Sequence, residues 1–471
     1  MTSADAPTRV HAFSDDALGT LDAVGLVEAL HAGRVSVPEV VEAAIARTEA
    51  VDPSLGALAH RSFDRARVEA RDPRGGYFAG VPTVVKDNVD VAGMPTCQGA
   101  DAWVGRPARA DGDWARMYLA TGLVPLGKSQ LSEYGFSASA EHPRLGPVRN
   151  PWHTAHTAGA SSSGSAALVA AGAVPIAHAN DGGGSIRIPA SVNGLVGLKP
   201  TRDRLAQDAM NRQMPVRIVS DGVVTRSVRD TAAFLREAEK VYRALHLPPV
   251  GDITRPGHQR LRVALNTSGL DRGADPEVTA QTLATARLLE ELGHHVEEVP
   301  APVDEEFVTD FLLYWSLLAL ALLSGGRRQH GRTFDRSAHD NLTLGLARHA
   351  KRHLHRLPGA ILRMRRAPAR SAEFFRDYDV SLTPVLAHAT PRLGHLDPTQ
   401  DYETVIDRLM DWVAFTPLQN VTGDPAISLP LAQAGGLPLG MMLSAGAGRE
   451  ALLLELALEL EEARPFASLA G

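Results

Sequence analysis

The chain has 471 residues, 44% hydrophobic and 22% charged, with a formal net charge of -6, which excludes disordered, collagenous and polycationic proteins and leaves ample length for a large core. The slightly negative balance gives no reason to expect nucleic acid or an acidic membrane as a partner. The lone Cys97 cannot form an internal disulfide, so cytoplasm is the expected compartment.

In chain order, Met1 to Thr20 is polar, carries Asp5, Asp15 and Asp16, and lacks the basic start and apolar stretch of a signal peptide. From Asp22 to Ala50 apolar residues recur at helical spacing, broken at Gly33 and Pro38, which predicts a helix pair. Pro38 is expected in the first turn of the second helix and Val51-Asp52-Pro53 at its end. Short strand-like runs, Pro82 to Val85 and Leu123 to Leu126, then alternate with helices at Asp113 to Ala120 and Ser165 to Ala171, a pattern of α/β layering. It restarts with a strand at Leu261 to Leu265, a helix at Pro276 to Leu292 and a strand at His295 to Val299. Phe307 to Arg376 is predicted helical, apolar at first and then rich in Arg, His and Lys. Its most lipid-like run, Phe311 to Leu323, is short of a membrane span and is read as a buried helix. Strands at Asp379 to Pro384 and Pro425 to Leu431 and an amphipathic helix at Glu450 to Ala463 close the chain. No Ser/Gly or charged linker separates these parts, so a single domain over 1–471 is expected, with an N-terminal helical segment (1–60), a core (61–245) and a variable helical segment (307–376).

Three motifs carry chemistry. Gly159-Ala160-Ser161-Ser162-Ser163-Gly164-Ser165 precedes an Ala-rich helix, which places a serine-dense loop where free backbone N–H groups favour negative charge. In Asp181-Gly182-Gly183-Gly184-Ser185 three glycines let the backbone aim several N–H groups at one point, with a serine directly after them. Taken alone, the first run reads as a linker and the second as a tight turn. A serine hydroxyl needs a base, and no histidine lies in these motifs. Lys86, in Val84-Val85-Lys86-Asp87-Asn88, emerges from an apolar run whose burial would favour its neutral amine.

The order lysine, serine, serine, with the spacings from 86 to 161 and from 161 to 185, resembles the amidase signature family. The likeness extends over Gly80-Val81-Pro82, Gly127-Lys128-Ser129 with Glu133, Gly146 to Trp152, Gly194 to Thr201 and Asn420 to Pro430. It implies a large mixed sheet enclosed by helices, and hydrolysis of an amide through an acyl-enzyme. By motif, Ser185 resembles the nucleophile, Ser161 the relay serine after a cis peptide bond (here Ala160–Ser161), and Lys86 the general base. Gly182, Gly183 and Gly184 resemble the oxyanion hole, Ser162 a supporting residue, Asp181 and Arg187 a structural charge pair, and Gly135, Phe136 and Ser137 the acyl-side wall. Ala160 and Ser163 stand where the family usually has glycine. The resemblance implies a small-molecule amide substrate, no metal or organic cofactor, and a homodimer as one arrangement. Within the family, His178-Ala179-Asn180-Asp181 and Ser185 to Ala190 look more like bacterial amidases and 6-aminohexanoate cyclic-dimer hydrolases than like the glutaminase subunit of tRNA-dependent amidotransferases, which usually has Gln where Ile188 stands.

Two other signals compete. Gly122 to Ser129 satisfies the Walker A pattern of a P-loop NTPase, yet Leu123-Val124-Pro125-Leu126 is strand-like where a phosphate loop must turn freely. His349 and His353 have the spacing of a helical zinc pair, but Ala350 replaces the glutamate of a zincin, and Arg348, Lys351, Arg352, His355 and Arg356 mark a solvated basic helix.

Overall fold

Two capping side chains start the predicted N-terminal helices. Asp22 accepts the Gly25 N–H at the head of Ala23–His31, and Ser36 and Glu39 form a reciprocal box at the head of Val37–Leu55. Pro38 lies in the first turn as expected. Pro53 does not end the second helix, which runs on to Leu55 and is closed by Gly56 at φ 63°. Asp52 Oδ1 accepts the Ala57 and Leu58 N–H groups, holding the turn beyond Pro53. The computed structural model describes residues 8–303 and 305–471; Asp5 of the polar N-terminal stretch lies outside them.

Two sheets follow. The smaller has three strands, β1 (Leu58–Arg61), β2 (Pro82–Lys86) and β3 (Val124–Ser129), in the order β1-β3-β2, with β2 and β3 parallel. The larger has eight: β4 (Ile176–Asp181), β5 (Val196–Lys199), β6 (Ser220–Thr225), β7 (Arg262–Leu265), β8 (His295–Glu298), β9 (Val380–Pro384), β10 (Ala426–Ala434) and β11 (Leu437–Ser444). Their order is β8-β7-β9-β11-β10-β5-β6-β4. The β7 pairings with β8 and β9 are parallel and those from β9 to β4 antiparallel, so the sheet is mixed. Helices flank it, among them Ser163–Ala170 and Arg187–Asn193, in which every residue is buried. The first consists of Ser, Gly, Ala, Leu and Val, small enough for its backbone to approach the sheets closely. A continuous apolar cluster runs from Leu18 to Leu460.

The predicted helical segment resolves into Phe307–His330, Asn341–His353 and Leu357–Asp377. The Phe311 to Leu323 run differs from expectation. Its helix has 24 residues and is, by length and composition alone, apolar enough to cross a membrane, and only part of it is buried. Leu313, Tyr314 and Ala319 face the core, whereas Phe311, Leu312 and Trp315 remain half-exposed because they border a cleft.

Candidate active site

Burial positions Lys86. All five residues of β2 are buried, and Lys86 ends the strand opposite Ser129 of β3. Its ammonium group lies 2.7 Å from Ser161 Oγ and 2.6 Å from Asn180 Oδ1, with no solvent exposure. Burial brings its pKa down to about 7, against the pull of Asp221 and then Asp181 toward the charged form.

The Ala160–Ser161 bond is cis, as the resemblance implies. Gly135 faces the same serine at φ 77°, so close that a Cβ there would come within 2.9 Å of Ser161 Oγ. Only glycine combines that conformation with that approach. Ser162 ties the two serine loops together by donating to the Ser185 carbonyl at 2.6 Å. Ser163 opens the following helix and donates back to the Gly159 carbonyl.

Asp181 and Arg187 form a fully buried pair, Nε to Oδ2 and Nη2 to Oδ1 both at 2.9 Å. Burial alone would raise the Asp181 carboxyl. The Arg187 charge and hydrogen bonds from Arg187 and Asn420 outweigh it and hold Asp181 well below the usual carboxylate range. Asn420 completes the bracket, accepting from Arg187 at 2.7 Å and donating to the Asp181 carbonyl at 2.9 Å.

The triple glycine departs from expectation at one position. Gly184 N–H is already spent, donating to Asp181 Oδ1 at 2.7 Å, so the structure contradicts its place among the oxyanion donors. Gly184 serves the turn instead: at φ 132° its Cβ would meet Thr416 Oγ1 at 2.4 Å. The Gly182 and Gly183 N–H groups make no hydrogen bond within the described protein, and Thr416 donates to the Gly183 carbonyl at 2.6 Å, fixing that peptide.

Ser185, Gly183 and Ala160 open onto a cleft enclosing about 740 Å³, its mouth included. Gly135, Phe136 and Ser137 all lie on its wall. Trp315 donates its indole N–H to the Phe136 carbonyl at 3.3 Å and meets the Phe136 ring edge-on, which couples the Phe307–His330 helix to that loop. Ile406, Leu409, Met410 and Val413, from Tyr402–Trp412 and the residue after it, make the opposite wall, and Asp271 is the one charged residue on the lining among the described residues. Sequence reading missed this wall, although its apolar residues recur at helical spacing. It also missed Asn180, His178 and Asp221 behind Lys86, whose polarity within apolar strands was the available signal.

The competing motifs do not assemble. Gly122 to Ser129 leads into and forms β3, and its Lys128 is buried against the Val89 carbonyl at 2.6 Å and Asp87 at 3.4 Å, where it cannot reach a phosphate. The His349 and His353 rings lie 4.5 Å apart, tilted by 38°, and among the described residues no group of three His, Cys, Asp or Glu is arranged to hold a metal.

A mixed sheet between helices, with a buried lysine–serine pair beside an apolar cleft, gives the chain the architecture of an α/β enzyme. The Amidase family model matches residues 39–454, and the chain belongs to that family, whose members act on small amides. It is 65% identical over 461 residues to the "Putative amidase AmiC" of Mycobacterium leprae, covering 98% of both chains. Among solved structures it is similar to 6-aminohexanoate cyclic dimer hydrolase complexed with substrate, at TM-score 0.85 and 30% identity over 94% of this chain and 97% of that one. A bacterial aryl acylamidase of the amidase signature enzymes superposes at TM-score 0.82 and 26% identity, over 94% and 96%.

Proposed function

We propose that the protein hydrolyses an uncharged, medium-sized carboxamide to a carboxylic acid and ammonia or an amine, through Ser185, Ser161 and Lys86. The observation that carries this reading is the wholly buried Lys86 amine 2.7 Å from Ser161 Oγ, beside the cleft that Ser185 lines. A pKa near 7 leaves much of that amine neutral at physiological pH, able to take a proton.

Neutral Lys86 takes the Ser161 proton while Ser161 takes that of Ser185. The Ser185 Oγ to carbonyl-carbon bond forms, and the carbonyl π pair moves to oxygen, facing the Gly182 and Gly183 N–H groups. On collapse the C–N bond breaks, and the proton returns through Ser161 to the leaving nitrogen. Water then adds to the acyl-serine, its proton passing to the relay and finally to Ser185 Oγ as the ester breaks and the acid departs.

Aromatic and aliphatic walls favour uncharged alkyl or aryl amides over charged ones. A cyclic-dimer-type hydrolase is the second reading, favoured by near-complete superposition on a structure of that name. Ammonia or amine release from a panel of linear, cyclic and aryl amides and their esters decides between these classes. Ser185→Ala is expected to abolish release throughout, and retained turnover by that variant would overturn the proposed nucleophile.

A further inference from the structure

Behind Lys86, away from the cleft, four polar side chains fill a place that β4 and β6 would otherwise fill with apolar residues. Asn180 and Asp221 are direct partners across the antiparallel pair, so their side chains share one face of the sheet; His178, two residues before Asn180, shares it too, and Asp181 points to the other face. His178 Nδ1 accepts the Lys86 backbone N–H at 3.2 Å. Its proton is thereby placed on Nε2, which donates to Asp221 Oδ1 at 3.1 Å. The side-chain amides of Gln207 and Asn180 also face Asp221 and favour its charged form. Since the Asn180 amide nitrogen faces Asp221, its oxygen is turned to Lys86, where it accepts from Nζ at 2.6 Å.

Resting on the proposed role of Lys86 as base, we propose that Asp221 is a positioning residue. It fixes which end of the Asn180 amide meets Lys86 Nζ, and its charge acts on the ammonium form of the lysine. The group is shut in: Asp221 is 1% exposed, His178 and Lys86 not at all. The charged and titratable groups facing it are Lys86 from β2, Lys128 from β3, His178 and Asp181 from β4, and Asp208 from the loop that carries Gln207. Burial holds His178 neutral, with Lys86 and Lys128 adding to that effect, so His178 contributes a dipole and no charge. Once ionised, Asp221 is therefore the negative group that meets the lysine through a single amide, and Asp181 is already neutralised by Arg187.

The sign follows. Burial raises Asp221 to about 7, so its charge develops over the same range in which Lys86 titrates; once ionised it favours protonated Lys86, and removing the charge lowers the pH at which the neutral amine appears. The test reads the activation of Ser185 without a known substrate, as the rate of inactivation by phenylmethanesulfonyl fluoride from pH 5 to 9, alongside hydrolysis of an uncharged aryl amide. For Asp221→Asn the acid limb is expected to move down by about one pH unit, with kcat reduced and KM within about twofold of wild type. Asp221→Glu, which keeps the charge, is expected to return the limb toward wild type. A limb unmoved in folded Asp221→Asn, or shifted equally in both variants, would overturn the proposal. Should Asp221→Asn fail to fold, Asn180→Ala cuts the same bridge and is expected to lower kcat about 10²-fold at constant KM; unchanged kcat would overturn it. Lys86→Ala and Ser185→Ala run in parallel. If they retain wild-type inactivation rates the proposed function itself fails, whereas if they are inert and the Asp221 limb stays fixed, only the role of Asp221 fails.

Discussion

Lys86 gives up its proton near neutral pH because of its surroundings, not its kind. A lysine in water holds its proton to about pH 10.4, and complete burial brings this one down to about 7. Because the neutral amine is the base, kcat/KM should rise as pH increases through about 7 and then level, a profile measurable from pH 5 to 9; a flat acid limb would exclude Lys86 as the titrating base. Lys86→Ala should cost on the order of 10²–10⁴-fold in kcat, the range of a positioned general base. Gly135 gives a second test of the same geometry. Any Cβ there is strained at φ 77° and pushes on Ser161 Oγ from 2.9 Å, so Gly135→Ala should displace the relay serine and lower kcat about 10²-fold while the fold, read by circular dichroism, persists.

At the level of elements, the site lies where the small sheet, two buried helices and the Phe307–His330 helix converge, and these differ in how far they could be read from sequence. Lys86, Ser161, Ser185 and the Asp181–Arg187 pair sit in short segments whose spacing and glycine content speak for themselves; β2 and β3 were recognisable as apolar runs, whereas β4 and β6, interrupted by His178, Asn180 and Asp221, were not read as strands. Gly184 was misassigned because donor direction depends on where Asp181 points, and no spacing encodes that. Pro53 misled because proline was read as a stop, whereas Asp52 holds the following turn from its side chain. The Tyr402–Trp412 wall is more than two hundred residues from Ser185, and only the order of strands brings it back to the cleft. The apolar character of Phe307–His330 was legible but its purpose was not: burial explains one side of the helix and the cleft another. Trp315 joins the two, so Trp315→Ala should raise KM for an aryl amide roughly tenfold and leave kcat nearly unchanged. Equal KM values in steady-state assays of the two proteins would show that this wall does not touch substrate.

Over the whole molecule, the burial that activates Lys86 also traps acids. Asp230 accepts the Ala23 and Val24 N–H groups at 2.8 Å each, holding the first helix against Val228–Val241, and its carboxyl is raised to about 8 by burial and by nearby Asp22. Burial likewise raises Glu461 and Asp221 to about 7, and Glu133 and Asp340 rise in the same direction. In the unfolded chain such groups lose their protons near pH 4. Through these carboxyls the folded state holds protons that the unfolded one has lost, so their contribution to stability falls as pH rises through about 7, whereas the histidines that burial keeps neutral, His178 foremost, contribute in the opposite sense as the unfolded chain takes up protons in acid. Lys86 and Lys199, both brought down to about 7 by burial, also act oppositely to the carboxyls but only above that pH, where the unfolded chain keeps protons that the folded one has lost. Below about pH 4 the depressed Asp181 takes over, and the stability it contributes is lost as acid protonates it. The melting temperature of Asp230→Asn, taken relative to wild type, should accordingly be higher at pH 7.5 than at pH 5, because only wild type loses this carboxyl's contribution over that range. Scanning calorimetry of both proteins at the two pH values checks this. A difference between the two proteins that did not change with pH would mean that Asp230 ionises in the folded state much as it does in water, and that burial does not govern its titration.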